Sequence, residues 1–340
     1  MPRVAIIGLG LIGGSIGLAL KRAKLADLEI VGHDAEYGVN RDARKRGAID
    51  KEARHPAEAA EGAALIVIAT PILQVRTAFE AIAPALAGGA VVTDTASTKR
   101  DVMSWAADCL PEDVSFIGGH PIAGKETSGI NAAEASLFDG HPWAMIPALD
   151  ATESAIRTAE NFITAIGAVP TLIDAEEHDS YLAAVSHLPL VLSTALFSLA
   201  SRSQAWPELA PFAGPGFRDT TRLASSNPSM SHDISLTNRE NLLHWLDRYV
   251  EELASLRKMI ESSDTQEELI ERFASAQAAR DAFMQAPPPK PGPERPSDPM
   301  SAGERMMSFM VGEYVVRRTK EVQETLEKRA SGELDDRGKR

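Results

Sequence analysis

The glycine-rich segment at residues 8–13 constrains the fold of this chain more than any other feature. It reads Gly8-Leu9-Gly10-Leu11-Ile12-Gly13, closes a short apolar run at residues 3–9 and leads into a helix predicted at 12–23. In the order strand, turn, helix, the first glycine permits the turn and the second lets the backbone approach a pyrophosphate. The third glycine packs the helix against the strand. The segment predicts a dinucleotide-binding loop, with a glycine turn that holds no ligand as the alternative.

The alternation of strand and helix continues beyond this loop. Strands are predicted at 28–32, 65–69 and 90–94, helices at 41–46, 75–86 and 99–109, and further short strands at 115–117, 143–146 and 170–172. Strands of this length that alternate with helices are typical of βαβ units, which form a parallel sheet covered on both faces. We therefore predict an α/β domain over residues 1–174.

The pattern becomes helical after Asp174. Residues 176–203 predict one long helix, broken or kinked near Pro189, and two more helices are predicted at 238–262 and 265–285. Residues 175–285 thus predict an all-α domain. Its apolar stretch at 188–199 favours a dimer core, although burial within one subunit would give the same pattern. Residues 286–340 predict a Pro-rich linker followed by a charged tail.

Composition excludes several classes of protein. With 44% hydrophobic and 24% charged residues the chain is typical of globular proteins. No stretch of about 18 apolar residues was found, so we expect no membrane span. The single cysteine, Cys109, and the lack of a secretory signal favour a reducing cytoplasm. The formal net charge of −13 argues against binding to nucleic acid. We predict no metal site.

Asp34 indicates which dinucleotide the loop binds. It closes the second strand about 20 residues after Gly13, where a carboxylate accepts hydrogen bonds from the adenosine ribose. The same carboxylate would repel a 2′-phosphate, and residues 35–37 offer no arginine, so we predict NAD and not NADP. An aspartate in a surface turn is the alternative. With the end of the next strand, the predicted cofactor-binding residues are Gly8, Gly10, Leu11, Ile12, Gly13, Asp34, Thr70 and Pro71.

Polar residues follow two later strands, in segments 94–99 and 118–126. His120 carries an imidazole whose pKa lies near neutral pH, so it suits the removal of a proton from an alcohol while hydride leaves the neighbouring carbon. The hydroxyl of Ser97 can orient that imidazole. A structural histidine and a helix N-cap serine are the alternative interpretations.

Four separated motifs resemble a known family. They are residues 8–15, His120-Pro121-Ile122-Ala123-Gly124, Ser186-His187-Leu188-Pro189 and Gly216-Phe217-Arg218-Asp219-Thr220-Thr221-Arg222. In this order they resemble the prephenate/arogenate dehydrogenases of tyrosine biosynthesis, over about residues 3–285. The resemblance implies a Rossmann-type domain, a helical dimerisation domain and a homodimer. It also implies oxidative decarboxylation, in which hydride passes from the ring carbon that bears the hydroxyl to NAD.

The resemblance also implies roles for individual residues. His120 accepts the proton of the ring hydroxyl, and Ser97 positions His120. Arg222 binds the ring carboxylate, a role that suits a guanidinium group, with a structural salt bridge as the alternative. Ser186, His187 and Glu126 are placed near the substrate, although His187 lies on an apolar helix where a packed histidine is equally expected. Arg218 and Asp219 can instead serve the dimer interface.

The chain departs from the family pattern at two positions. Leu190 and Ser231 stand where many relatives have histidine and tryptophan, so the choice between prephenate and arogenate stays open. Another Rossmann dehydrogenase of the β-hydroxyacid type is the nearest alternative, but those enzymes use a lysine on the long helix. No lysine lies between Lys125 and Lys258 here. A non-catalytic NAD-binding regulator is the alternative from a different class.

Overall fold

The computed structural model describes residues 2–25, 27–125 and 127–285. Glu126 and the predicted linker and tail at 286–340 lie outside the described residues. An eight-stranded sheet in the order β3-β2-β1-β4-β5-β6-β7-β8 forms the centre of the fold. Its strands are β1 (Arg3–Ile7), β2 (Glu29–His33), β3 (Lys51–Glu52), β4 (Leu65–Ile68), β5 (Val91–Asp94), β6 (Ser115–Pro121), β7 (Pro142–Pro147) and β8 (Val169–Leu172).

The sheet is parallel from β3 to β6, but β7 runs antiparallel to β6 and β8 runs parallel to β7. The predicted parallel sheet is thus found with one antiparallel pairing, between β6 and β7. A parallel neighbour needs a crossover connection that is usually helical. Between β6 and β7 the described residues hold only a 3₁₀ turn, Ile130–Ala132, so the chain returns alongside β6 in the opposite direction. The predominantly parallel α/β fold class is confirmed.

Helices cover both faces of the sheet. They are α1 (Leu11–Arg22), α2 (Tyr37–Lys45), α3 (Pro56–Ala60), α4 (Val75–Ile82), α5 (Arg100–Cys109) and α6 (Glu153–Ala165). Successive side chains of a strand point to opposite faces. Val4 and Ile6 of β1 accordingly belong to one buried cluster together with Phe162 of α6. Ala5 and Ile7 belong to a second cluster with Phe79 of α4.

The remaining helices are α7 (Ala175–Leu182), α8 (Leu188–Ser201), α9 (Trp206–Leu209), α10 (Pro215–Thr220), α11 (Pro228–Thr237), α12 (Arg239–Glu261) and α13 (Gln266–Gln285). The helix predicted at 176–203 is interrupted by a π-helical turn, Ala183–His187, in which the N–H of Leu188 donates to the carbonyl of Ala183. Pro189 follows in the first turn of α8 and has no N–H to donate, so the break comes where proline predicts it. Helices α9 to α11 were not predicted.

Much of α8 is exposed in the single chain. Leu188 and Leu190 are buried, whereas Leu196, Phe197 and Leu199 are exposed. By length and composition the stretch 175–201 is apolar enough to cross a membrane, and 28% of its most apolar window is buried. The expectation that no such stretch exists is therefore wrong. Ser and Thr residues interrupt the apolar run but add no charge to it.

The helical region contacts the sheet domain at the carboxyl ends of its strands. Thr98 and Thr237 share a hydrogen bond of 2.8 Å, and the Asp233 carboxylate accepts the N–H of Leu73 at 3.3 Å. Ile234 of α11 and Leu190 of α8 join the buried cluster under β4 and β5. Ligands of open α/β sheets bind at this edge, so the helical region covers the expected site.

Candidate active site

The glycine loop has the geometry that the sequence predicts for dinucleotide binding. Gly8 has a φ of +94°, which favours glycine, and a Cβ there would lie 2.5 Å from the carbonyl oxygen of Ala69. A Cβ on Gly13 would lie 1.9 Å from the carbonyl oxygen of Gly8, whereas a Cβ on Gly10 would meet nothing within 4 Å. Gly8 and Gly13 are thus required by packing, and Gly10 presents bare backbone to open space. Helix α1 begins directly at Leu11 with its N-terminus at this loop.

Asp34 follows β2 and braces the loop. Its carboxylate accepts the N–H of Leu9 at 2.8 Å and the N–H of Glu36 at 3.0 Å. Beside it opens a cavity of about 460 Å³, whose lining also includes Arg44, Lys51 and Arg54. These cations come from α2 and the β3 region, outside residues 35–37, and were not expected from the sequence.

Two of these three cations have acidic partners. Arg44 lies 3.6 Å from Glu52, and Lys51 forms an ion pair with Glu29. Their charges are therefore partly compensated within the chain. The arrangement leaves Asp34 as the acidic group at the end of β2, as predicted for a ribose ligand.

Thr70 supplies an unsatisfied polar atom next to the loop. Its Oγ1 is buried and has no hydrogen-bond partner among the described residues. Its backbone nitrogen lies 2.9 Å from where a Cβ of Gly8 would stand. A buried hydroxyl without a partner costs stability, so a ligand that pairs with it fits this position. The glycine loop, Asp34 and Thr70 together suit a bound dinucleotide.

His120 lies near the end of β6, opposite Ala144 of β7, and is 9% exposed. Its Nδ1 lies 2.9 Å from Nε2 of His178. Burial, followed by the neighbouring His178, Lys99 and His187, lowers the pKa of His120 well below its usual value. The imidazole is therefore neutral at pH 7, which is the form that can accept a proton.

A buried ion pair fixes the backbone that carries His120. Lys99 and Asp94 form this pair with no exposed side-chain surface. Lys99 Nζ also donates to the carbonyl of Gly119 at 2.7 Å, and Asp94 accepts the N–H of Gly119 at 2.9 Å. Burial outweighs the attraction of Asp94 and lowers the pKa of Lys99. Both backbone groups of the residue before His120 are thus held.

Ser97 and His187 lie close to each other near this centre. Ser97 is half-buried in the loop between β5 and α5, and its backbone raises the pKa of the adjacent His187. His187 is buried, and its Nδ1 accepts a hydrogen bond of 3.0 Å from the amide of Asn238. Burial dominates and lowers the pKa of His187 to about 4. The alternative of Ser97 as helix N-cap is wrong, because Lys99 holds that position.

Arg222 lines a different cavity, of about 470 Å³, bounded by Phe197, Arg218, Thr221, Arg222, Ala224 and Ser225. Neither His120 nor Ser97 belongs to this lining. Ser186 lies on the π-helical turn with its side chain exposed. The predicted substrate residues are thus divided between the strand ends and the helical region, and their roles stay predictions.

His178 and Asp179 were missed by the sequence analysis. Both are buried in the middle of α7, and His178 Nδ1 lies 2.8 Å from Oδ1 of Asp179. The only sequence signal available was two adjacent polar residues on a helix, which usually face solvent. Among the described residues, no group of three or more His, Cys, Asp or Glu side chains is arranged to hold a metal ion.

The fold and site define a dinucleotide-binding α/β domain joined to a helical domain. A buried histidine, His120, lies at the carboxyl ends of the strands, where the helical domain contacts the sheet. The family model described as prephenate dehydrogenase, nucleotide-binding domain, matches residues 16–172. The model described as prephenate dehydrogenase, dimerization domain, matches residues 174–275. The chain belongs to the prephenate dehydrogenase family.

Individual relatives agree with this assignment. Prephenate dehydrogenase of Bacillus subtilis is 34% identical over 282 residues, which cover 82% of this chain and 76% of that protein. Cyclohexadienyl dehydrogenase of Zymomonas mobilis is 34% identical over 279 residues, which cover 82% and 94%.

Solved structures also resemble the chain closely. Prephenate dehydrogenase of Aquifex aeolicus, in complex with hydroxyphenyl propionate and NAD+, has a TM-score of 0.77 and 28% identity. The match covers 83% of this chain and 98% of that one. Synechocystis arogenate dehydrogenase has a TM-score of 0.70 and 27% identity, with coverages of 83% and 99%.

Proposed function

We propose that the chain is an NAD-dependent dehydrogenase that oxidatively decarboxylates prephenate, arogenate or both. The observation that carries this proposal is the buried imidazole of His120, which lies at the strand ends of a dinucleotide-binding sheet in a chain of this family. The names of the relatives from Bacillus subtilis and Zymomonas mobilis support the reaction class.

NAD fits the residues at the glycine loop. Gly8, Gly10 and Gly13 with the N-terminus of α1 suit the pyrophosphate, and Asp34 suits the adenosine ribose. When bound, NAD supplies the acceptor for the hydride. The complex of the Aquifex aeolicus relative with NAD+ supports this choice. Leu11, Ile12, Thr70 and Pro71 complete the proposed cofactor-binding residues.

His120 is the proposed proton acceptor. In this reaction the O–H bond of the ring hydroxyl breaks and its proton goes to Nε2 of His120. Hydride leaves the ring carbon that bears this hydroxyl, and the bond to the ring carboxylate breaks to release carbon dioxide. The ring becomes aromatic as a phenolate, which takes the proton back from His120 and restores the neutral imidazole. Ser97, near the same strand ends, is proposed to help position the imidazole.

The substrate's ring carboxylate is proposed to bind Arg222. A guanidinium group can donate two parallel hydrogen bonds to a carboxylate. Its cavity is bounded by Arg218 and Arg222, so two cations favour an anionic ligand. Ser186, His187 and Glu126 remain proposed contacts to the substrate.

The decisive experiment follows formation of NADH or NADPH with prephenate, arogenate and a β-hydroxyacid, each with NAD and with NADP. Turnover of one substrate would identify the enzyme's specificity, and turnover of both would make it a broad cyclohexadienyl dehydrogenase. Binding of NAD with no turnover of either substrate would favour the regulator, and turnover of a β-hydroxyacid would favour that dehydrogenase class.

We also propose that the chain forms a homodimer through its helical domain. Leu196, Phe197 and Leu199 are exposed apolar side chains on α8 in the single chain, and contact with a second copy would cover them. The dimerization-domain match supports this assignment. Light scattering coupled to gel filtration tests it, since a monomeric mass at micromolar concentration would contradict it. The proposed location is the cytoplasm.

A further inference from the structure

Three buried side chains form a line that leads from His120 into the interior. The two imidazole rings meet edge to face, with centroids 5.1 Å apart and planes inclined by 72°. Nδ1 of His120 lies 2.9 Å from Nε2 of His178, and Nδ1 of His178 lies 2.8 Å from Oδ1 of Asp179. His178 and Asp179 are 0% and 1% exposed, so water does not compete for these contacts.

Asp179 is held rigidly at the far end of this line. Its two carboxylate oxygens accept the backbone N–H groups of Lys99 at 2.8 Å and of Arg100 at 2.9 Å. Its backbone carbonyl accepts the side-chain amide of Asn238 at 2.7 Å. The carboxylate therefore joins the start of α5 to the middle of α7, and its position is fixed from both helices.

The donor and the acceptor of each hydrogen bond in this line can be assigned, because a carboxylate can only accept hydrogen bonds. Nδ1 of His178 must therefore carry the proton that is shared with Asp179. In a neutral imidazole the other nitrogen is then an acceptor, so Nε2 of His178 accepts the proton on Nδ1 of His120. Nε2 of His120 is left with a free lone pair.

We propose that His178 and Asp179 are positioning residues that hold His120 in the tautomer with its proton on Nδ1 and its lone pair on Nε2. The inference deepens the proposed function and rests on it for the role of His120 as base. Neither residue touches the reacting atoms in this scheme. They act through the orientation of His120. The proton removed from the substrate is held on Nε2, does not pass on to His178, and returns to the aromatic product.

The other groups that face His120 offer no competing partner for Nδ1. Lys99 donates to Asp94 and to the carbonyl of Gly119. His187 accepts the amide of Asn238 through its own Nδ1. Among the described residues, the hydrogen bond of His120 is the one to His178. Removing the acceptor at position 178 therefore removes the constraint on the tautomer.

The first test determines the tautomer of His120 by NMR and does not depend on enzymatic activity. The cofactor-free full-length protein is labelled with ¹⁵N-histidine, and long-range ¹H–¹⁵N spectra are recorded near neutral pH. The chain has 8 histidines, so comparison with His120→Asn identifies the signals of His120. We expect a protonated Nδ1 and a free Nε2 in the wild type. In His178→Leu that preference is lost, and in His178→Gln, whose amide can accept from His120 and donate to Asp179, it is kept.

Two NMR outcomes would overturn the inference. One is a wild-type His120 protonated on Nε2, as expected if His178 carried two protons and donated to His120. The other is an unchanged His120 tautomer in His178→Leu. Both outcomes can be obtained even if neither prephenate nor arogenate is turned over, so failure of the proposed function is distinguishable from failure of the positioning role.

The second test separates positioning from stability. His178→Leu should lower kcat roughly a hundredfold, within the range for general base catalysis, while KM for NAD stays within about twofold. His178→Gln should recover most of that loss. Thermal unfolding midpoints show whether both variants are folded. A wild-type kcat in His178→Leu, or an equal loss in both folded variants, would contradict the positioning role.

Discussion

Lys99 and Asp94 form an ion pair that is completely buried at the end of β5. Taking two charges out of water is expensive, so such a pair is retained only when its hydrogen bonds are well satisfied. Here Lys99 donates to the carbonyl of Gly119, and Asp94 accepts the N–H groups of Gly119 and Ala96. Gly119 directly precedes His120. The pair therefore links the stability of the sheet to the placement of the proposed base.

Removing one member of this pair should destabilise the protein strongly. We expect Lys99→Met to lower the free energy of unfolding by about 3–5 kcal/mol, because it leaves the Asp94 carboxylate buried without a counter-charge. Equilibrium urea denaturation measures this loss. The matched control is Lys21→Met, whose ion pair with Asp50 is partly exposed and should contribute only about 0–1 kcal/mol. A loss in Lys99→Met as small as in the control would show that the buried pair is not required.

Replacing His120 should separate chemistry from cofactor binding. His120→Asn removes the proton acceptor, so kcat should fall by about 10²–10⁴-fold while the Kd for NAD is unchanged. Stopped-flow or steady-state NADH formation gives kcat, and fluorescence titration gives the Kd. His55→Asn, at an exposed histidine that begins α3, is the control and should behave as the wild type. A normal kcat in His120→Asn would remove this residue from the chemistry.

The strands and the cofactor loop could be predicted from the order of neighbouring apolar, glycine and polar residues. The apolar runs are bounded by glycine and polar residues, and β1, β2, β4 and β5 lie within a few residues of the predicted ranges. The glycine loop is likewise a local feature, since a turn, a helix start and a close approach all depend on neighbouring residues. The reversal of β7 was not predictable in this way, because strand direction depends on how the chain returns to the sheet.

The contact of His120 with His178 and Asp179 was not predictable for the same reason. His178 lies 58 residues from His120, and Asp179 lies 80 residues from Lys99. In sequence the two residues follow Glu176 and Glu177, which suggests a solvated helix surface. Their burial arises only when α7 packs against α5. Motif resemblance found His120, but it could not identify the partner of its Nδ1.

Asp34 should control the choice between NAD and NADP. Its carboxylate would repel a 2′-phosphate, so Asp34→Asn should lower the ratio of kcat/KM for NAD to that for NADP by about tenfold. The amide oxygen can still accept the N–H of Leu9, whereas the hydrogen bond from the N–H of Glu36 is lost. Initial rates with both cofactors measure the ratio. Asp42→Asn on α2 is the control, and a ratio that Asp34→Asn leaves unchanged would rule out this role.

Arg222 should affect the substrate and not the cofactor. Arg222→Ala removes charge-assisted hydrogen bonds, each of about 1.5–3 kcal/mol, so KM for the turned-over substrate should rise by at least about tenfold. KM for NAD should stay the same. Arg218→Ala is the matched comparison, because both arginines line the same cavity. If only KM for NAD rises in Arg222→Ala, or if Arg218→Ala gives the larger effect on the substrate, the assignment to Arg222 is wrong.

His187 should make the fold sensitive to acid. Its pKa is about 4 in the folded chain and near 6.5 in the unfolded chain, so between these values the unfolded state binds more protons. Stability is therefore complete above about pH 6.5 and falls as the pH is lowered towards 4.

The size of this effect follows from the same pKa difference. From pH 7 to pH 5, His187 alone should contribute a loss of about 2 kcal/mol, and the lowered pKa of His120 acts in the same direction. His187→Gln keeps an acceptor for Asn238 but cannot titrate. Urea denaturation at pH 7 and pH 5 should show a loss about 2 kcal/mol smaller in His187→Gln than in the wild type. Equal losses in both proteins would mean that His187 is not held neutral by burial.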